Sequence, residues 1–138
     1  MNPPHFLDTN VLVYSISDDP REARKRERAE VLLSDRNGAL SIQVLQEFYV
    51  QATRATRPDR TTHENAVNLI KAWTRFKVQE MTFAVLDAAL EIKAAYGFSY
   101  WDSAIIAAAR ALGCATLYTE DMAHGRQIEG VVIVNPFR

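Results

Sequence analysis

An α/β fold with a mainly parallel sheet is predicted by three features of the chain. Short apolar runs of strand length, such as the Val-Val-Ile-Val of 131–134, alternate with segments of helical periodicity. Turn residues separate them, and acids recur where a strand hands over to a helix or where a helix starts. Such alternation calls for a central sheet of about four or five short strands, flanked by helices on both faces. Function in these sheets gathers at the carboxyl ends of the strands, where the topology switches direction.

Taken in order, His5 to Asp8 is predicted as the first strand and Asn10 to Ile16 as a short helix, which ends before Ser17-Asp18-Asp19-Pro20. Pro20 suits a first helical turn, and Ala29, Leu32 and Leu33 supply an i, i+3, i+4 row, so a helix is expected from Pro20 to about Ser34. Asn37-Gly38 turns the chain into a second strand, Ala39 to Ile42. A helix follows with Leu45, Phe48, Tyr49 and Ala52 on one face, and it carries Glu47. Pro58 interrupts the pattern; Thr61 as N-cap and Glu64 at the third helical position then read as a capping box ahead of Ala66, Leu69, Ile70 and Trp73. Lys77 to Met81 can form a third strand. Thr82 caps a helix with Val85, Ala88, Ala89, Ile92 and Tyr96 inward, and Gly97 ends it. Ser99 and Asp102 form another capping pair, and 102–112 is apolar on most sides, as in a deeply packed helix that Gly113 closes. Cys114 to Tyr118 and Val131 to Val134 complete the strands, the last ending at Asn135-Pro136.

With 138 residues, 48% of them hydrophobic, the chain is expected to be one domain over 1–138 with an ordinary core. A formal net charge of −1 excludes a globally basic nucleic-acid binder. Any polyanion must meet a local basic patch or a bound cation. Cys114 is the only cysteine, so no internal disulfide can form. No signal peptide or membrane-length apolar run is seen, and a cytoplasmic protein with no membrane partner is expected.

Four acids stand out: Asp8, Glu47, Asp102 and Asp121. Each has a structural explanation when taken singly. Asp8 can cap the helix near Asn10, Asp102 can complement a helix dipole, and Asp121 can belong to a turn. Glu47 falls away from the apolar stripe of its helix, so periodicity does not aim it at a site. Four independent caps in this arrangement are harder to explain, and the flanking residues are specific. Phe6-Leu7-Asp8-Thr9-Asn10, Gln46-Glu47-Phe48, Tyr100-Trp101-Asp102-Ser103 and Tyr118-Thr119-Glu120-Asp121, in this order and spacing, resemble the PIN-domain family over nearly the whole chain, and most closely its small VapC-type toxins.

The resemblance implies a Mg²⁺- or Mn²⁺-dependent endoribonuclease, the toxin of a type II toxin–antitoxin pair. It implies cleavage by water that leaves a 5′-phosphate and a 3′-hydroxyl, a cognate antitoxin able to reach the acidic pocket with an Arg, and a homodimer. Asp8 and Asp102 would be direct metal ligands, Asp121 a ligand to the same or a second ion, and Glu47 an outer member orienting water. Asn10 and Thr119 would be supporting residues that fix carboxylate orientation, with ordinary turn polarity as the competing explanation. The chemistry suits a hard cation. Carboxylates about 4 Å apart repel by about 4 kcal/mol at an effective dielectric near 20, and oxygen-seeking Mg²⁺ or Mn²⁺ relieves that repulsion. Glu120 adds a neighbouring charge and is the alternative to Asp121 as the fourth acid; alternation along the segment sends the two side chains in different directions.

Other features point less far. His5, His63 and His124 have no partners at zinc spacing, and dinucleotide and P-loop glycine motifs are absent. Arg21, Arg24, Lys25, Arg26 and Arg28 interleave with Glu22, Glu27 and Glu30, which reads as a solvated, salt-bridged helix face. Arg54, Arg57 and Arg60 form the better phosphate-contact hypothesis, with an ordinary exposed loop as the competing explanation, and Trp73 and Trp101 read as core or interface residues. Competing functions are a PIN-fold binding or scaffolding module without turnover, a housekeeping PIN nuclease without an antitoxin, and a phosphoryl-transfer domain. The last would want an Asp where Asn10 stands, or an acidic pair and a late Lys, and no Lys follows Lys93.

Overall fold

His5–Leu7 form strand β1, and this short apolar segment becomes the middle of the sheet, bonded in parallel to β2 (Gly38–Ser41) on one side and to β4 (Thr116–Tyr118) on the other. The structure is a computed structural model that describes residues 3–138; Met1 and Asn2 of the expected domain lie outside the described residues. β3 (Lys77–Gln79) extends the sheet beyond β2, and β6 (Val131–Val134) extends it beyond β4, both parallel. β5 (Gln127–Ile128) pairs antiparallel with β6, and the order is β3-β2-β1-β4-β6-β5. The chain therefore grows outward from β1 in one direction and returns to grow in the other, so the topological switch lies between β1 and β4. A crevice opens at such a point outside the strand ends.

The six strands among the described residues exceed the four or five expected. The additional one, β5, has only two residues and no apolar run. It forms because Glu129 (φ 51°) and Gly130 (φ 84°) both adopt the left-handed conformation of a tight two-residue hairpin. An Asn-Gly or Asp-Gly pair would have announced that turn; Glu-Gly hides it.

Six α-helices occur among the described residues: α1 (Thr9–Ser15), α2 (Ala23–Ser34), α3 (Ile42–Ala52), α4 (His63–Trp73), α5 (Phe83–Tyr96) and α6 (Tyr100–Ala111). The helix expected to run unbroken from Pro20 is divided. Pro20–Glu22 is a separate 3₁₀ turn capped by Asp19, because Pro20 supplies a fixed φ but no N–H donor. The cap of α4 is Thr62, which accepts the Asn65 N–H, and not Thr61 with Glu64; neighbouring threonines made the register ambiguous. Caps at Thr82 and Ser99 and the left-handed terminator Gly97 (φ 78°) stand where expected. The expected ends of four strands move inward: Asp8 caps α1, Ile42 opens α3, β3 stops at Gln79 and β4 starts at Thr116.

The core lies on both faces of the sheet. Phe6, Leu7, Leu40, Leu117 and Ile133 are buried, and every residue of α6 from Ser103 to Ala109 is buried as well, which accounts for its apolarity on most sides. Cys114 joins this core, where burial pushes its thiol up to about 12 and leaves it a small hydrophobe. No helix among the described residues is long and apolar enough to cross a membrane. Gly38 is a packing requirement: a Cβ there would stand 2.9 Å from the ring of buried Phe76. Gly38→Ala is expected to cost roughly 1–3 kcal/mol of stability, read as a lower denaturation midpoint.

Candidate active site

Asp8 sits at the switch point. Its N–H donates to the Tyr118 carbonyl at 3.0 Å, which holds it against the end of β4, while its carboxylate accepts from the Thr9 N–H at 2.7 Å and from the Thr119 hydroxyl at 2.8 Å. It is the N-cap of α1, so the capping explanation holds as far as position goes. A cap does not require burial, however, and Asp8 is only 6% exposed. Burial raises its carboxyl to about 6; the Thr119 and Thr9 hydrogen bonds pull it back, and the charges of Glu47 and Asp121 push it up again.

Thr119 joins two of the acids. Its N–H donates to the Val134 carbonyl of β6, and its fully buried hydroxyl donates to Asp8 while accepting from the Asp121 N–H at 3.1 Å and from Asn10 Nδ2 at 3.4 Å. Asn10 Nδ2 also reaches Asp121 Oδ2 at 3.1 Å, and Asn10 Oδ1 accepts the Glu120 N–H. Both neutral residues thus touch the acids directly, more than turn polarity requires. Glu120 points elsewhere, to Tyr14 and Lys25. Although burial pushes its carboxyl up, those hydrogen bonds hold it below the usual range.

Glu47 lies on α3 off the buried stripe of Val44, Leu45, Phe48 and Ala52, as the helical wheel required, and the face it occupies borders α1. Thr9 Oγ1 donates to it at 3.1 Å, and Gln43 Nε2 at 2.8 Å. Gln43 is buried and donates also to the Trp101 carbonyl, tying α3 to the first turn of α6. On that turn Asp102 donates its N–H to Ser99 Oγ. Burial raises the Asp102 carboxyl, the Ser99 bond opposes the rise, and Asp121 and Glu47 add to it. Thr9 and Gln43 went unnoticed in the sequence. Gln43 could have been found, because it stands one helical turn before Glu47.

The four acids therefore come from four separate segments to one end of the sheet, close enough to act on one another's protonation. They do not form a finished cage: among the described residues, no three His, Cys, Asp or Glu side chains gather around one point as a metal site. The donor set still fits a hard cation. Every candidate ligand is a carboxylate oxygen, both oxygens of Asp8 keep accepting capacity beyond their one hydrogen bond, and Mg²⁺ typically takes one or two protein carboxylates and keeps its waters.

Of the interleaved acids expected to pair with the basic residues of α2, only Glu30 forms such a pair with one of them, Arg26, among the described residues. Arg21 pairs with Asp19, Arg26 with Glu30 and Asp18, and Lys25 with Glu120; Arg24 and Arg28 donate to the Phe137 and Pro136 carbonyls. Arg57 is paired with Asp59 and Arg60 donates to the Ala55 carbonyl, whereas Arg54 has no carboxylate partner among the described residues. Trp73 packs edge-to-face on Phe48 in the core, but Trp101 is 63% exposed.

Comparison with known proteins places the fold. No curated protein sequence matches the chain. Among solved structures, a toxin–antitoxin complex from Klebsiella pneumoniae is similar with a TM-score of 0.71 and 19% identity, over 96% of this chain and 97% of that one. VapC20 from Mycobacterium tuberculosis, described as a sarcin-ricin loop cleaving toxin, has a TM-score of 0.66 and 23% identity over 85% and 89% of the two chains. DNA-bound VapBC from Salmonella typhimurium has a TM-score of 0.65 and 21% identity over 96% and 97%. The family model for the PIN domain matches residues 5–127, from the first residue of β1 into β5, and the chain belongs to the PIN-domain family.

Proposed function

We propose that residues 1–138 act as one PIN domain that hydrolyses RNA phosphodiester bonds with Mg²⁺ or Mn²⁺, and that the protein is the toxin of a toxin–antitoxin pair. The observation that carries this reading is the buried, hydrogen-bonded Asp8 at the switch point, with Glu47 and Asp121 near enough to oppose its ionisation. An acid held at such a cost is suited to a cation. Asp8 and Asp102 would hold the ion directly, Asp121 would hold the same or a second ion, and waters would complete its shell. When bound, the cation neutralises the phosphate, lowers the pKa of a bound water and steadies the leaving oxygen.

The chain's own residues do the rest. Thr119 and the Thr9 N–H fix the direction of Asp8, and Asn10 fixes that of Asp121. Glu47, held by Thr9 and Gln43, is placed to orient the attacking water and accept its proton. The water oxygen bonds to phosphorus, the bond from phosphorus to the 3′ oxygen breaks, and that oxygen takes up a proton. The products are a 5′-phosphate and a 3′-hydroxyl.

The surface supports the proposed partners. A groove of about 710 Å³ runs from Asn10 and Asp121 past Asp18, Asp19, Glu22 and Asp59, with Arg21 and Arg57 as its only bases, and suits the cationic segment of an antitoxin. The similar toxin–antitoxin complexes support such a partner. Met81, Phe83 and Leu90 are exposed apolar residues that a second copy would cover in a homodimer. A cytoplasmic location is in keeping with an RNA substrate.

The test is cleavage of structured RNA by purified protein freed of antitoxin. Cutting is expected with Mg²⁺ or Mn²⁺, to stop with a chelator, and to fall by at least about 100-fold in Asp102→Asn. An Asp102→Asn protein that cuts as fast as the parent would remove the acidic site from the mechanism.

A further inference from the structure

A second groove, of about 440 Å³, opens between α3 and the first turn of α6, and Gln46, Glu47, Val50, Gln51, Arg54 and Trp101 are among its walls. It shares Glu47 with the acidic site. Trp101 stands one residue before Asp102 with much of its indole in water, although a large aromatic ring is usually withdrawn from solvent. The exposure does not come from a loose side chain. The Trp101 carbonyl is held by Gln43 Nε2 at 3.2 Å, the same amide that holds Glu47, and its ring stands edge-to-face on Tyr100 with centroids 5.0 Å apart. Arg54, also exposed, has no carboxylate partner among the described residues, while Arg21 and Arg57 each have one.

We propose that this groove holds an unpaired nucleotide of the RNA strand beside the scissile phosphate, an inference that rests on the nuclease reading above. The base stacks on the Trp101 indole, a neighbouring phosphate meets Arg54, and the amides of Gln46 and Gln51 are available to the base edge. The lining favours a nucleotide over a second copy of the chain. One indole and one valine stand among three glutamines, an arginine and a glutamate, a mixture that offers stacking, hydrogen bonding and a free cation. Two other exposed apolar side chains, Met81 and Phe83, line a separate hollow with Leu86 and Tyr100. Since a stacked duplex offers no free base face along its length, the groove selects single-stranded loops or ends.

Tryptophan fluorescence reads the groove directly, because Trp73 is buried and Trp101 is the exposed emitter. The full chain carrying Asp8→Asn, chosen to slow cutting by the expected factor of about 100 or more, is titrated with a short single-stranded RNA of mixed sequence and with a blunt duplex of equal length. Quenching is expected with the single strand and not with the duplex. Trp101→Ala in the same background should weaken single-strand binding about tenfold, Trp101→Phe should keep most of the affinity, and Arg54→Ala should flatten the salt dependence by about one phosphate contact. Saturation without quenching, or equal affinity in Trp101→Ala, overturns the proposal. So does a Trp101→Ala protein that changes from dimer to monomer with unchanged RNA affinity, since a second copy would then be the occupant. The two readings fail separately: quenching without cleavage by the parent chain leaves the groove and removes the nuclease, and cleavage indifferent to Trp101 does the reverse.

Discussion

Asp8→Asn is expected to lower RNA cleavage by more than about 100-fold and, in the same protein, to raise the melting temperature measured without metal at pH 8. The two effects have one origin. With its folded carboxyl raised to about 6 from 3.8, Asp8 keeps a proton in the folded chain that the unfolded chain has already released between those values. Stability from this group therefore falls as pH rises through that window, and the deficit is complete above about pH 6. At pH 8 it is about 3 kcal/mol before any offset. Asn has no charge to bury, but it replaces one of two acceptor oxygens with a donor facing Thr119. A net gain of roughly 1–2 kcal/mol, or about 3–6 °C, remains. At pH 4, where Asp8 is protonated when folded, the gain should vanish. A melting scan of both proteins at the two pH values decides this, and an equal or lower midpoint for the variant at pH 8 would show that burying the charge costs the fold nothing.

Thr119→Val carries the second large effect. The two side chains have nearly the same shape, but Val neither donates to Asp8 nor accepts from the Asp121 N–H and Asn10. Stability should fall by roughly 1–3 kcal/mol, since the site is fully buried and water cannot replace the hydroxyl. Asp8 also loses a hydrogen bond that lowers its pKa, so its carboxyl rises further. The acidic limb of the pH–rate profile then moves to higher pH, and cleavage falls more at pH 6 than at pH 8, by about 10- to 100-fold overall. Thr119→Ser, which restores the hydroxyl, should return the profile to its original position. A purely structural role would lower stability without moving the limb.

Much of this was legible in the sequence for physical reasons. The parallel sheet could be read because short runs such as Phe6-Leu7, Ala39-Leu40 and Val131–Val134 alternate with helical periodicity along most of the chain, and α6 because a helix buried on most sides must be apolar on most sides. Residues joined by adjacency or by fixed spacing were also readable, including the caps at Thr82 and Ser99 and the division of labour between Glu120 and Asp121. What stayed hidden depends on contacts across long separations. Glu47 is aimed by Thr9, 38 residues away, which leaves no periodic trace, and the bond from Thr119 to Asp8, 111 residues apart, was expected only through the family resemblance. β5 escaped because two residues are too few for a pattern, and the Thr61–Thr62 register because two adjacent hydroxyls offer the same cap. Trp101 reads as a core or interface residue, because nothing in its spacing tells the two apart. Only the position of its indole at the outer start of α6 leaves it in water.

Calorimetric titration of Mn²⁺ into the metal-free protein, at pH 5.5 and pH 8 and in buffers of different ionisation enthalpy, tests most directly whether the acids of this site await a cation. Asp8 is largely protonated at the lower pH, so binding there must displace its proton. The affinity at pH 8 should exceed that at pH 5.5 by about fourfold or more, with proton release at pH 5.5 and loss of binding in Asp8→Asn. Mn²⁺ affinity that is unchanged by pH and by Asp8→Asn, or the absence of binding in the parent, would contradict the cation site.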